Sequence, residues 1–212
     1  MDQQRSKVTA PRQPRAVATR NRLLDAVERL VAAEGHEAVT TTRLATEIGV
    51  AVGTIYRYFA DRDAVLLAAY DATVERIVAA CERQLRDLPV ELPPTEAARA
   101  LLDGYLAAAA AIPGHVSLLG AMRSIRPIEA DQQGENLPGI VEGLLIPFLA
   151  RYLPQGIGLE PARLAFVAVM VGTMVDLYLV TADGGARASL RREIDAHVGL
   201  MVDRILAPLR HG

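Results

Sequence analysis

Apolar positions recur every three or four residues along most of this chain, the spacing that puts them on one face of an α-helix. Between about 17 and 34, Leu23, Leu24, Val27, Leu30 and Val31 form one such stripe, and Gly35 stands where that helix should close. A short helix follows the threonine run Thr40, Thr41 and Thr42, with Leu44, Ala45 and Ile48 as its apolar face. Gly49 suits a left-handed turn residue, because it has no Cβ to clash. A third helix over about 52–59 points Ile55 and Phe59 inward, leaving Thr54, Tyr56, Arg57 and Tyr58 for another surface.

The pattern predicts six more helices. Asp61 is a suitable N-cap for a long one over about 62–88, with Asp63 in its first turn. Others are expected over about 95–112 and 115–125, separated by Pro113 and Gly114. The polar stretch 126–137 reads as a loop, and a helix from Pro138 to about 152 should kink or break at Pro147. After a second loop at 153–159, two helices over about 160–182 and 187–209 complete the chain, with Gly184 and Gly185 between them. No run alternates with period two, so the expected fold class is all-α, with about nine helices.

The last two helices differ in character. From 164 to 180 the only clearly polar residues are Thr173 and Asp176. A membrane span needs about 20 apolar residues; this run is shorter and carries a carboxylate, so no membrane association is expected. A helix apolar on all sides must be buried on all sides. The final helix has Leu190, Ile194, Val198, Met201, Ile205 and Leu209 on one face. Pairing of helices 160–182 and 187–209 with their copies in a second chain would bury both, which predicts a homodimer.

Composition adds little except charge. The chain has 212 residues, 51% apolar and 4% aromatic, without Trp. Its net charge of −2 conceals an asymmetry: residues 1–62 hold ten Lys/Arg and seven Asp/Glu, a balance of +3, which leaves −5 for the rest. Arg5, Lys7, Arg12, Arg15, Arg20 and Arg22 lie in the first 22 positions beside the single acid Asp2. A cationic arm ahead of a helix-turn-helix is the footprint of a phosphate binder. Cys81 is the sole cysteine, so there is neither an intramolecular disulfide nor a cysteine metal cluster. The polar N-terminus has no signal-peptide pattern, and a cytoplasmic location is expected.

Thr41–Thr42 with Leu44–Ala45, then Gly49–Val50, then Gly53 through Phe59, then Asp61-Arg62-Asp63 resemble the signature of the TetR family of bacterial transcriptional regulators. The likeness covers about 50 residues, the first helix included. Farther along, only the architecture is similar. The resemblance implies a homodimer on a palindromic double-stranded DNA operator, usually a repressor, released when a small-molecule effector enters the C-terminal domain. It implies the division 1–15 basic disordered arm, 16–62 DNA-binding domain and 63–212 ligand-binding and dimerisation domain. Thr41 and Thr42 would hold a phosphate; Val52, Gly53 and Thr54 would face base edges; Tyr56 and Tyr58 would reach the backbone. Arg57 is a base or phosphate candidate and Arg62 a phosphate contact. Hydroxyls and arginines suit these tasks chemically. Val52 can offer a base only van der Waals contact, so readout should lean on Thr54, Arg43, Arg57 and the arm. Ligand binding would shift the long helix at 62–88 and change the spacing of the recognition helices.

If the helices between 62 and 152 enclose the effector, the candidates on them are Cys81, Tyr105, Met122, Arg123 and Phe148; Met170, Met174 and Asp176 follow on the apolar helix. A pocket built from so many Ala, Leu and Val would be smooth and apolar, predicting a hydrophobic ligand. Asp176, the one acid in that apolar helix, is better suited to pairing with an arginine across a dimer or to capping a neighbouring backbone group. His36, His115, His197 and His211 are scattered away from metal-ligand spacing, and GxGxxG, P-loop and GxSxG motifs are missing. Neither an enzyme nor a metal or cofactor is therefore expected. The competing expectation is a DNA-binding protein that senses nothing or answers to a protein partner; a cavity among the helices would separate the two.

Overall fold

The computed structural model describes residues 14–126, 140–152 and 160–206. Most of the basic arm, nearly all of the loop expected at 126–137, Pro138, the loop at 153–159 and Leu209 lie outside these residues. All the regular structure among the described residues is helical. Its α-helices are α1 (Pro14–Glu34), α2 (Thr41–Ile48), α3 (Val52–Tyr56), α4 (Arg62–Asp87), α5 (Pro94–Ala110), α6 (His115–Ile125), α7 (Ile146–Tyr152), α8 (Pro161–Val180) and α9 (Gly184–Leu206). A 3-10 turn, His36–Ala38, follows α1.

The chain folds as two units, and the packing divides inside α4 rather than at the expected boundary of 62. The first unit comprises residues up to Thr73 together with Pro113–Ile125; the second holds Val74–Ile112 and the remainder. In the first, the stripe on α1 meets Leu44, Ala45 and Ile48 of α2, Ile55 of α3 and Val65 and Leu66 of α4 in one core. Leu118 and Ala121 of α6 close it. Thr40 caps α2, its side chain accepting from the Arg43 N–H at 3.1 Å. Gly49 ends that helix in the left-handed region, φ 69° and ψ 43°. Asp61 caps α4 by accepting from the Ala64 N–H at 2.8 Å. His115 is buried at the start of α6, with Nδ1 2.8 Å from the Thr73 hydroxyl. That hydroxyl also lies 2.6 Å from the Tyr70 carbonyl, to which it donates its one proton, so Nδ1–H of His115 is the donor to Thr73.

Two boundaries of the second unit differ from the sequence expectation for local reasons. Pro147 does not simply break its helix; one π-helical turn, Val141–Leu145, precedes it. Proline has no N–H to give and its ring crowds the carbonyl four residues back, and the wider turn relieves both problems. Gly184 and Gly185 do not separate the last helices but form the first turn of α9. The break falls at Thr181–Asp183, because Asp183 accepts from the Ala186 N–H at 2.7 Å and caps α9. Arg151 of α7 donates to the Leu85 and Leu88 carbonyls, satisfying the C-terminal end of α4. Arg191 of α9 ties itself to Asp103 of α5 at 2.7 Å and to Asp195 at 2.8 Å.

Gly114, between α5 and α6, has φ +81°, and a Cβ there would lie 3.0 Å from the Ala32 backbone nitrogen. Gly114→Ala therefore meets both left-handed strain and a backbone atom that cannot swing aside. Urea unfolding should show a loss of about 1–2 kcal/mol or more from the strain alone; an unchanged midpoint would contradict this account of the turn.

Candidate nucleic-acid interface and effector cavity

α3 is only five residues long and holds its place through buried neighbours. Ile55 has no exposed surface and Phe59, just beyond the helix, has 5%. Their burial fixes which side chains remain outside. Tyr56 is 53% exposed, and its hydroxyl lies 3.4 Å from that of Thr41 at the start of α2. Thr42, Gly53 and Arg57 are also exposed, while Thr54 is half-buried. Together these residues form a surface of hydroxyls and one guanidinium on the outer side of the helix-turn-helix, suited to phosphate oxygens and base edges.

Four of the candidate DNA contacts have other neighbours. Val52 and Tyr58 pack partly against the core of this unit, so neither side chain is fully presented to solvent. Arg43 is held in a two-pronged ion pair with Glu34 at the end of α1. The hydrogen bond from Arg43 is also what holds the Glu34 carboxyl below its ordinary range. Arg62 donates from Nε to the Val39 carbonyl at 2.7 Å and from Nη2 to the His36 carbonyl at 2.8 Å, with Nη1 3.6 Å from Asp63. It staples the turn between α1 and α2. Of the arm residues that are described, Arg22 donates to the Ile48 carbonyl at 2.9 Å, Arg20 lies 5.7 Å over the Phe59 ring, and Arg15 is exposed.

Ala51, exposed ahead of α3, was not a candidate because alanine carries no polar signal. Gly53 is the more telling neighbour. It adopts no left-handed φ, and a Cβ built on it would meet nothing within 4 Å. A glycine in a helix costs about 0.8–1 kcal/mol relative to alanine, and this unit contains no steric reason for it.

The second unit contains an apolar cavity of about 150 Å³. Its walls are Leu101, Leu102 and Tyr105 of α5, Leu144 and Phe148 around the π turn and α7, Val171, Gly172 and Val175 of α8, and Val198, Met201 and Val202 of α9. The enclosing elements are thus α5, α7, α8 and α9, not the set between 62 and 152. Tyr105 and Phe148, of the candidate ligand residues, line it. Cys81, Met170, Met174 and Asp176 are not among its walls, and Met122 and Arg123 belong to the first unit. Cys81 is buried, which pushes its thiol up to about 11 and keeps it protonated and unreactive. Met170 is 39% exposed on the opposite side of α8. Gly172 was the overlooked signal: a glycine inside an apolar helix, with nothing within 4 Å of a built Cβ, leaves room on the cavity wall.

α8 separates into two faces. Val167, Ala168, Val175 and Leu179 are buried, whereas Phe166, Met170, Leu177 and Val180 are exposed, Phe166 by 62% and Leu177 by 51%. On α9, Leu200 is exposed by 61%.

The described residues thus comprise a unit that contains a helix-turn-helix and a second, all-helical unit that contains an apolar cavity. Residues 23–69 match the family model of bacterial regulatory proteins, tetR family. That match covers most of α1, all of α2 and α3, and the start of α4. The chain is 41% identical over 64 residues to the HTH-type transcriptional repressor KstR of Mycolicibacterium smegmatis, covering 30% of this chain and 31% of that one. Against an HTH-type transcriptional repressor of Mycobacterium tuberculosis it is 34% identical over 67 residues, 32% of this chain and 36% of the relative. The chain thus spans about a third of the length of the curated relatives it matches. Similar solved structures include the TetR family repressor AlkX of a Dietzia species, with TM-score 0.62, 16% identity and 91% and 97% coverage of the two chains. A TetR-family regulator from Streptomyces coelicolor has TM-score 0.58 and 19% identity, with 89% and 98% covered. Likeness at these identities concerns the fold.

Because Arg62 satisfies two backbone carbonyls, Arg62→Ala should destabilise the protein by about 1–2 kcal/mol in urea titrations. Any loss of DNA binding by that variant would accompany the loss of stability. Full stability with DNA binding abolished would restore Arg62 to the list of direct contacts.

Proposed function

We propose that this chain is a DNA-binding transcriptional regulator, most simply a repressor, that binds a palindromic operator as a homodimer and leaves it when a small hydrophobic molecule fills the cavity of the second unit. The observation that carries this reading is the outer surface of the helix-turn-helix: Thr41, Thr42, Gly53, Thr54, Tyr56 and Arg57 stand together where Ile55 and Phe59 are buried beneath. The matched family and the repressors named above support it. Thr41 and Tyr56 are assigned to phosphate, Thr54 and Arg57 to phosphate or base edges, and Gly53 to close backbone approach. Arg43, Val52, Tyr58 and Arg62 are better suited to shaping the unit than to touching DNA.

The cavity favours a sensing regulator over a purely architectural DNA-binding protein. A single unbroken α4, from Arg62 to Asp87, offers a route by which filling the cavity could alter the spacing of two recognition helices, which must sit about 34 Å or a multiple apart. The exposed apolar face of α8 supports dimerisation through α8 and α9, since a contiguous apolar stripe on a soluble chain marks an interface. In cells such a regulator works in the cytoplasm beside its DNA.

Two outcomes test this function. Gly53→Ala should hold or raise thermal stability by up to about 1 kcal/mol, yet weaken binding to DNA selected from a random pool by about tenfold or more; unchanged affinity in gel-shift titrations would remove Gly53 from the interface. Leu177→Glu should turn a dimer into a monomer in sedimentation equilibrium, keep its helical circular dichroism and lose most DNA affinity. A variant that remains dimeric would place the interface elsewhere.

A further inference from the structure

We infer that Arg151 and Tyr152, the last two residues of α7, form a site for an organic carboxylate. Among the described residues, two side-chain atoms are buried without a hydrogen-bond partner, and both belong to this pair: Nε of Arg151 and the hydroxyl of Tyr152. A buried donor left unpaired is costly, so such atoms are rare in folded proteins. Nε–H can only donate, and a phenol hydroxyl donates as well, so one class of partner serves both: an acceptor oxygen. The Arg151 guanidinium carbon lies 5.9 Å from the centre of the Tyr152 ring, which keeps the two groups beside each other.

Charge decides between a neutral acceptor and an anion. A guanidinium is ionised at any ordinary pH, and the described partners of this one are the Leu85 and Leu88 carbonyls and the Tyr152 ring. These are dipoles and a ring face; among the described residues no carboxylate is ion-paired with Arg151. An oxyanion on Nε would make a charge-assisted bond, roughly twice as strong as a neutral one. The two oxygens of a carboxylate have lone pairs enough for both donors. Two sources share this chemistry. Tyr152 packs on Phe148, ring centres 5.0 Å apart, and Phe148 lines the apolar cavity. The first source is therefore the effector itself, a carboxylate on an apolar body, and it rests on the cavity being the effector site. The second is a small free carboxylate, which needs no cavity.

The test is calorimetric titration of the full chain with heptanoate, acetate and heptan-2-one at constant ionic strength, repeated with Tyr152→Phe, Arg151→Lys and Gly172→Leu. Tyr152→Phe removes a hydroxyl that no protein group uses, so it should unfold at the same temperature or a higher one. It should nevertheless bind carboxylates about tenfold or more weakly, the loss expected of one hydrogen bond to a charged group. Arg151→Lys keeps the charge but lacks the Nε donor and should lose carboxylate affinity as well; if it fails to fold, Tyr152→Phe decides alone. Gly172→Leu puts a side chain into the cavity. With the effector as source, heptanoate should bind more tightly than acetate in the wild type and fall to the acetate level in Gly172→Leu. With a free carboxylate as source, the two should bind alike and Gly172→Leu should alter neither. Carboxylates that fail to bind, or whose binding survives Tyr152→Phe, overturn the inference and leave the two donors to water alone. A loss of stability in Tyr152→Phe overturns it too, by revealing a partner within the protein. In each of these cases, heptan-2-one binding that Gly172→Leu abolishes still upholds the cavity as the effector site; no binding by any probe overturns both readings.

Discussion

A five-residue helix has no stability of its own in water. Helices shorter than about 12–15 residues are marginal even in favourable sequences, and α3 spans only Val52–Tyr56. It exists because Ile55 and Phe59 are driven into a core shared with α1, α2 and α4. Full burial of such side chains contributes about 1.5–3 kcal/mol each. The same burial settles which residues face outward, so the outer surface of the helix-turn-helix is what the core leaves over. Removing either anchor would dissolve the helix and the surface together.

That dependence explains the division of labour among the polar residues. Arg62, Arg43 and Arg22 spend their donors on protein carbonyls or a carboxylate, holding the ends of α1 and α2. Thr40 and Asp61 cap the helices on either side of α3. Thr42 and Arg57 stand exposed, as does Tyr56, whose hydroxyl meets that of Thr41, beside a glycine whose missing side chain serves no neighbour. The second unit repeats the principle with an apolar vocabulary. One face of α8 packs inward and helps line a cavity, and the other stands exposed. Tyr105 is the one residue with a hydroxyl among the described lining of that cavity.

Much of the fold was legible because helical periodicity survives in a single sequence. The span of α6 and the start of α4 were read correctly, since proline, glycine and capping aspartate mark them locally. Other features were not local. Gly184 and Gly185 looked like a break, but the cap supplied by Asp183 moved the break upstream. Arg62 looked like a phosphate contact because cations are read by charge; its carbonyl partners, Val39 and His36, are more than twenty positions away in sequence. Met170 and Met174 attracted notice as soft residues on an apolar helix, yet the cavity lies on the side marked by Gly172 and Val175.

The sequence by itself determined the helical class, the helix-turn-helix with its buried Ile55 and Phe59, and the need of the apolar helix near the C-terminus for cover on more than one side. These follow from spacing and local chemistry, which a chain carries along its length. Tertiary structure alone decided which arginines are spent on carbonyls, which face of α8 turns inward, and that Tyr105 and Phe148 come to line one apolar cavity. Those outcomes depend on residues far apart in sequence meeting in space, where each donor's partner and each face's neighbour are chosen.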